Sequence, residues 1–303
     1  MENSLTILLY HGVSVKQPSG IENYSGKHIK QEDFSRQMSF IKKNCAVLSI
    51  DDVVKHCLTR KPFPDKAVTV TFDDGFKNNY TIAAPILNEL KIPAVFYIST
   101  GFIGNDNMFW VDILEDSINR CSKLEINITL SNPVSISLST DQDKIKAIDE
   151  IKKYCKQAST AKKDRVLGDV QKATGITGLV SSSDNYRKMD WPEVRELDLN
   201  PLFTIGGHTQ RHNILSALPK DEMKIEISRS LKDLEKNLNH KIVHYSYPEG
   251  QRNHYNQEVI DALKEEGILC CPSAVHGINS AEDDLFHLKR IMVGFQGTRF
   301  PFS

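Results

Sequence analysis

The stretch Val68-Thr69-Val70-Thr71-Phe72-Asp73-Asp74-Gly75 constrains this chain more than any other. Its β-branched residues and Phe predict a buried strand. That strand runs directly into two adjacent carboxylates and a glycine. Carboxylates side by side repel and resist burial, so the fold must supply something to offset them. A cation does so. Candidate co-ligands stand far downstream, in Gly206-Gly207-His208-Thr209-Gln210-Arg211-His212. Two imidazoles four residues apart, next to a strand end, are spaced to grip one metal. One Asp with two His leaves coordination positions open, the pattern of a catalytic rather than a structural zinc. Taken alone, the acidic pair also suits a turn or a helix cap, and the histidine pair an ordinary surface pair.

With 303 residues the chain can bury one large core, and α/β barrels of this length are commonly one domain. The expected organisation is a single domain over 1–303, with an insertion at about 105–185 where the strand–helix rhythm breaks. A formal net charge of -1 argues neither for nucleic acid nor for an anionic membrane as partner. The first residues, Met1-Glu2-Asn3-Ser4-Leu5, show no basic stretch followed by an apolar one. No apolar run reaches the ~18 residues a membrane span needs, so no span is expected and a cytoplasmic location is. The six cysteines show no C-x-x-C spacing, and Cys270-Cys271, inside an apolar run, are expected buried and reduced.

Residues 5–10 predict a first strand ending at His11. Phe34, Met38 and Ile41 fall at helical spacing and predict a core-facing stripe. Ile50-Asp51-Asp52 predicts a helix start with an Asp as N-cap. Residues 79–90 predict a helix kinked at Pro85, and 94–100 the next strand. In the insertion, Trp110 opens an amphipathic helix, residues 126–138 predict a hairpin around Asn132-Pro133, and 141–175 are helical in pattern. Trp110 fits a sugar groove, where its face stacks on a pyranose ring, and fits a core position equally well. Met189-Asp190-Trp191-Pro192 starts a further helix, and 203–205 form the strand before the histidines. A helix follows over 220–238, a strand over 242–247, a helix over 257–266, and two last strands over 268–271 and 288–293. About seven strand–helix steps suggest an α/β fold with an incomplete (β/α) barrel, whose chemistry sits at the C-terminal strand ends.

Thr71-Phe72-Asp73-Asp74-Gly75 followed by His208-Thr209-x-x-His212 resembles the polysaccharide deacetylase family (carbohydrate esterase family four). The resemblance covers roughly residues 5–295 and implies a distorted seven-stranded barrel. It implies Asp74, His208 and His212 as ligands of Zn²⁺ or another divalent metal, and Asp73 as general base. Leu9-Tyr10-His11 resembles the family's Leu-x-His motif, whose histidine is the general acid. Here that motif comes first, as in the circularly permuted poly-N-acetylglucosamine deacetylases. His276 and His287 are fallback acids. The motif that normally supplies an Arg to hold the catalytic Asp matches Ser246-Tyr247-Pro248-Glu249-Gly250, which has no Arg and a Glu in place of the usual Tyr. Arg290 is expected to fill that space from another direction. The residues Tyr247, Pro248, Glu249 and Gly250 are candidates for substrate or oxyanion contacts, as are Trp110 and Trp191, the latter matching a Trp common before the histidine strand.

The function implied is metal-dependent N-deacetylation of an N-acylated amino sugar, as an oligosaccharide, a lipid-linked glycan or another surface-polysaccharide precursor. The rival readings are a metal-dependent amidase on a non-sugar amide and a catalytically lapsed glycan-binding protein.

Overall fold

The computed structural model describes residues 3–16, 18–176 and 183–302. It divides into two compact units, one of Met1–Val15, Ser25–Asn105 and Lys188–Ser303, the other of Lys16–Tyr24 and Asp106–Arg187.

The first unit is built on a parallel sheet of six strands: β1 (Leu5–Tyr10), β2 (Ala46–Val47), β3 (Ala67–Phe72), β4 (Ala94–Ile98), β5 (Phe203–Gly207) and β6 (Ile291–Met292). Their order is β6-β1-β3-β4-β5, and β2 flanks the first residues of β3. Beyond β5 the sheet continues by single parallel bridges, Gly207 to Tyr245 and His244 to Cys270. The Ser273 N–H then donates to the Leu288 carbonyl at 2.8 Å and the Arg290 N–H to that of Val275 at 3.0 Å, which leads back to β6. The result is a barrel that is curved but not closed by continuous ladders. The strands expected over 242–247 and 268–271 are thus reduced to single bridges. Pro248 and Pro272 end both segments, and neither has an N–H to continue a ladder.

Side-chain alternation sorts the strands into two faces. Leu8, Tyr10, Val68, Val70, Phe72, Phe96, Ile98 and Ile205 join one large cluster with the helices Gln31–Asn44 and Lys220–Leu238. Leu5, Ile7, Ala67, Val95, Tyr97, Cys270 and Leu288 join a smaller cluster on the other face. The same period puts His11 in phase with Ile7, Asp73 with Ala67, and Arg290 with Leu288. The barrel face is therefore apolar at its base and polar at the C-terminal ends of β1 and β3.

The start of one helix differs from the sequence expectation. The cap of the helix Ile50–Thr59 is Ser49, paired with Asp52 in a capping box, and neither Asp is the cap. The Asp51 carboxylate instead accepts from His244 at 2.8 Å. Residues Asn79–Ala83 wind as a π turn that runs without a break into Ala84–Glu89, so Pro85 lies inside a helical run, next to the π turn.

The second unit holds the helix Trp110–Arg120, an antiparallel hairpin of Glu125–Thr129 and Pro133–Ser137, and two helices, Asp141–Cys155 and Thr160–Thr174. Its core gathers Leu114, Ile118, Ile126, Ile148, Ile151 and Val170. No helix among the described residues is long and apolar enough to cross a membrane.

Candidate active site

His11 follows β1, Asp73 and Asp74 follow β3, and His208 follows β5, so parallel strands deliver all four to one edge of the sheet. Asp74 stands at φ 80° and Gly75 at φ 75°, so the chain leaves β3 in a left-handed turn. Thr209 and His212 are also left-handed, at φ 62° and 56°. A β-branched Thr in that region is a true outlier, and strain of this kind gathers at functional sites.

Asp74 Oδ1 lies 3.5 Å from His208 Nε2 and 3.3 Å from His212 Nε2. It is buried and has no hydrogen-bond donor among the described residues. The His208 Nδ1 is 2.9 Å from the Ser246 carbonyl oxygen. A carbonyl can only accept, so Nδ1 carries a proton and Nε2 is the atom turned towards Asp74. One carboxylate oxygen and two imidazole nitrogens, their ligand atoms all within 4.8 Å of one another, could hold a divalent metal ion. Burial alone would raise the Asp74 pKa, but the His212 and His208 imidazoles outweigh it and hold it well below the usual carboxylate range. Burial pushes His212 down, but Asp74, then Glu249 and Asp73, bring it above its ordinary value.

Asp73 has a different partner. Arg290 is 1% exposed and forks onto it, Nη1 donating to Oδ1 at 2.8 Å and Nη2 to Oδ2 at 2.7 Å. The remaining Arg290 donors reach the Ser273 carbonyl at 2.7 Å, Thr71 Oγ1 at 3.2 Å and Ser246 Oγ at 3.3 Å. A buried fork with every arm used is a strong and rigid pair. Burial would raise the Asp73 pKa, but Arg290 and His208 more than offset it, and the net shift is downward. Ser246 joins the two halves of the site, since its hydroxyl also lies 3.0 Å from His208 Nδ1.

His11 is half-buried, its ring 5.7 Å from that of Phe295. Burial pushes its pKa down, against the pull of Asp74 and Asp73. His276 is exposed. His287 is exposed as well, lies 3.6 Å from Asp284 and packs on Tyr255.

Tyr247 is buried, stacks on Tyr255 at 4.1 Å and donates to the Phe286 carbonyl at 3.1 Å. Pro248 has no N–H, and the Gly250 N–H is spent on the Pro248 carbonyl at 2.7 Å. Neither of those two residues has an N–H free for an oxyanion. Glu249 bends it at φ 60°, and its charge is felt at His212. Trp191 packs at the edge of the main cluster, with its helix held by a capping box of Asp190 and Glu193. Trp110 belongs to the second unit, partly buried against that unit's core with Lys163 over its ring.

Gly207 ends β5, directly before His208. A Cβ there would meet the Tyr245 ring at 2.4 Å, and Tyr245 is fully buried. Its hydroxyl also accepts from the Thr209 N–H at 2.8 Å. Gly207→Ser is therefore expected to destabilise the fold by about 1–3 kcal/mol through overpacking, read as a lower denaturant midpoint.

Sequence reasoning did not single out Tyr245, nor the contact of Thr71 with Arg290, nor the linking role of Ser246, because their partners lie on remote elements of the chain.

With this geometry in place, comparison with known proteins is informative. The chain belongs to the polysaccharide deacetylase family, whose model matches residues 60–270. His11 and Arg290 lie outside that span. A poly-beta-1,6-N-acetyl-D-glucosamine N-deacetylase of Staphylococcus aureus is 31% identical over 123 residues, which is 37% of this chain and 42% of that protein. The match thus spans about two fifths of that relative's length. The Streptococcus pyogenes deacetylase PplD, solved in complex with acetate, superposes with a TM-score of 0.62 at 18% identity, covering 98% of this chain and 94% of that one. IcaB from Ammonifex degensii gives a TM-score of 0.62 at 18% identity, over 96% and 91%. At these identities the likeness to the solved structures is one of fold.

Proposed function

We propose that this chain is a metal-dependent N-deacetylase that hydrolyses the N-acetyl group of an amino sugar in a surface polysaccharide or its precursor. The observation that carries the reading is the buried Asp74–His208–His212 donor set beside the Arg290-forked Asp73, at the C-terminal strand ends of a polysaccharide deacetylase fold. The name of the staphylococcal relative supports an N-acetylglucosamine polymer as substrate class.

Asp74, His208 and His212 would hold the ion. A bound divalent metal would supply Lewis-acid chemistry, lowering the pKa of a water towards about 7 and polarising a carbonyl. Asp73, kept ionised by Arg290, takes the proton of the attacking water. Arg290 also fixes the orientation of that carboxylate, so no rotation is needed at the moment of transfer. As the new C–O bond forms and the amide C–N bond breaks, His11 gives a proton to the departing amine nitrogen. His11 takes that proton from solvent beforehand; burial lowers its pKa, and the neighbouring Asp74 and Asp73 carboxylates pull the other way, towards the imidazolium.

The test is acetate release from N-acetylglucosamine oligomers, nucleotide-linked N-acetyl sugars and simple non-sugar amides. Zinc-loaded protein is expected to act on a sugar substrate, and chelation to lower the rate by about a hundredfold or more. Turnover of non-sugar amides alone would establish the amidase reading instead. Undiminished turnover after complete metal removal would sink the metal assignment.

A further inference from the structure

We propose that Glu226 is a positioning residue that sets the place of His212 in the metal site. The inference rests on Asp74, His208 and His212 being the ligands. Glu226 lies on the helix Lys220–Leu238, on the stripe that buries Met223, Ile227, Ser230 and Leu231, and is itself only 7% exposed. A carboxylate on a buried stripe carries a desolvation cost that must be offset by hydrogen bonds.

Those bonds all go to the loop that carries the histidines. Glu226 Oε2 accepts from the Gln210 N–H at 3.0 Å and the Arg211 N–H at 2.9 Å. Its Oε1 accepts from Asn213 Nδ2 at 3.0 Å. The carboxylate therefore grips the chain on both sides of His212. Two successive N–H groups on one oxygen form a small anion-holding concavity, which fixes the local backbone.

His208 is secured without Glu226. Its N–H donates to the Ile98 carbonyl at 3.0 Å, its carbonyl accepts from Ser99 Oγ at 2.8 Å, and its ring is held at Ser246. The next two carbonyls, of Thr209 and Gln210, accept from the Thr100 and Gly101 N–H groups at 3.2 and 2.8 Å. On the N–H side of Gln210 and Arg211 the partner is Glu226. His212 sits at φ 56°, a conformation a non-glycine residue keeps only when its surroundings impose it. Releasing the grip frees His212 to relax out of it, and His208 stays.

The experiment is zinc affinity by competition with a chromophoric chelator, alongside melting of the metal-free protein, for wild type and Glu226→Ala, Glu226→Asp and Glu226→Gln. Glu226→Gln keeps an oxygen for both N–H groups and presents an amide to a flipped Asn213 side chain, so its affinity is expected within a few-fold of wild type. Glu226→Ala removes the grip and Glu226→Asp keeps the charge but shortens the reach. Both are expected to weaken zinc binding about ten- to a hundredfold, the range for outer-shell partners. If Glu226→Ala does not fold, the Asp and Gln variants carry the comparison.

Because Glu226 acts through His212, Glu226→Ala is expected to add less than about a threefold loss in a His212→Ala background. A full additional loss there would overturn the proposal. So would wild-type affinity in Glu226→Ala with only a lower melting temperature, the outcome of a purely structural role. A Gln variant as weak as Ala would show that charge acts rather than the grip, and would also overturn it. Wild-type protein that binds no zinc would remove the metal reading itself, and this inference with it.

Discussion

Asp73→Asn is expected to lower kcat for deacetylation by about a hundred- to ten-thousandfold while leaving zinc affinity within a few-fold of wild type. The amide keeps the shape of the carboxylate and loses its ability to take a proton. Asp73 Oδ2 is 4.0 Å from His208 Nε2, whereas Asp74 Oδ1 faces both imidazoles at 3.5 and 3.3 Å, so Asp73 stands outside the group that could hold a metal. The two neighbouring carboxylates are thereby separable: Asp74→Ala should abolish zinc binding, and Asp73→Asn should abolish turnover with the metal in place. Steady-state acetate release and chelator competition on the same preparations read both. A loss under tenfold in kcat would remove Asp73 as the base, and a large loss of zinc affinity would place it among the ligands.

Arg290→Ala is expected to cost about 3–5 kcal/mol of stability at neutral pH, because it leaves a buried carboxylate uncompensated. The pH dependence should change sign at this residue. In the wild type the folded-state pKa of Asp73 is depressed below 3.8. Its contribution to stability is therefore fully present above the unfolded pKa and lost as pH falls through the folded value. Without Arg290, burial is the largest influence left and drives the Asp73 pKa up. A raised carboxylate contributes stability below its unfolded pKa and loses it as pH rises through the folded value. The deficit of the variant should thus be widest near pH 7 and narrow towards about pH 4. Denaturant unfolding across that interval measures it. Turnover should fall off at a higher pH than in the wild type, since a protonated Asp73 cannot act as base. A deficit independent of pH, or unchanged activity, would mean that Arg290 does not hold Asp73 in its ionised form.

The motif residues Asp73, Asp74, His208 and His212 are legible in the sequence because each follows a β-rich run, and a strand end is a local pattern. The helices over 31–44, 191–198 and 220–238 are legible because an apolar stripe, or a Pro in the first turn, needs only neighbours in sequence. The antiparallel hairpin of the second unit is legible for the same reason. Local patterns fail where the partner is remote. Strands over 242–247 and 268–271 read as ordinary strands, yet their ladders are single bridges, because extent depends on what each segment finds beside it. Ser49 displaced Asp51 and Asp52 as cap because the capping box needs the residue three places earlier.

Chain order alone determined that two carboxylates and two histidines would stand at strand ends in a βα framework, since periodicity and turn chemistry are local. Tertiary structure decided which carboxylate faces the imidazoles and which takes Arg290. That choice depends on the left-handed turn at Asp74 and on a guanidinium 217 residues downstream in the chain. It decided that Gly207 makes room for the Tyr245 ring, and that Glu226 reaches out of an apolar stripe to grip the histidine loop. Buried polar groups must find partners wherever the fold brings them, and those partners lie on other elements of the chain.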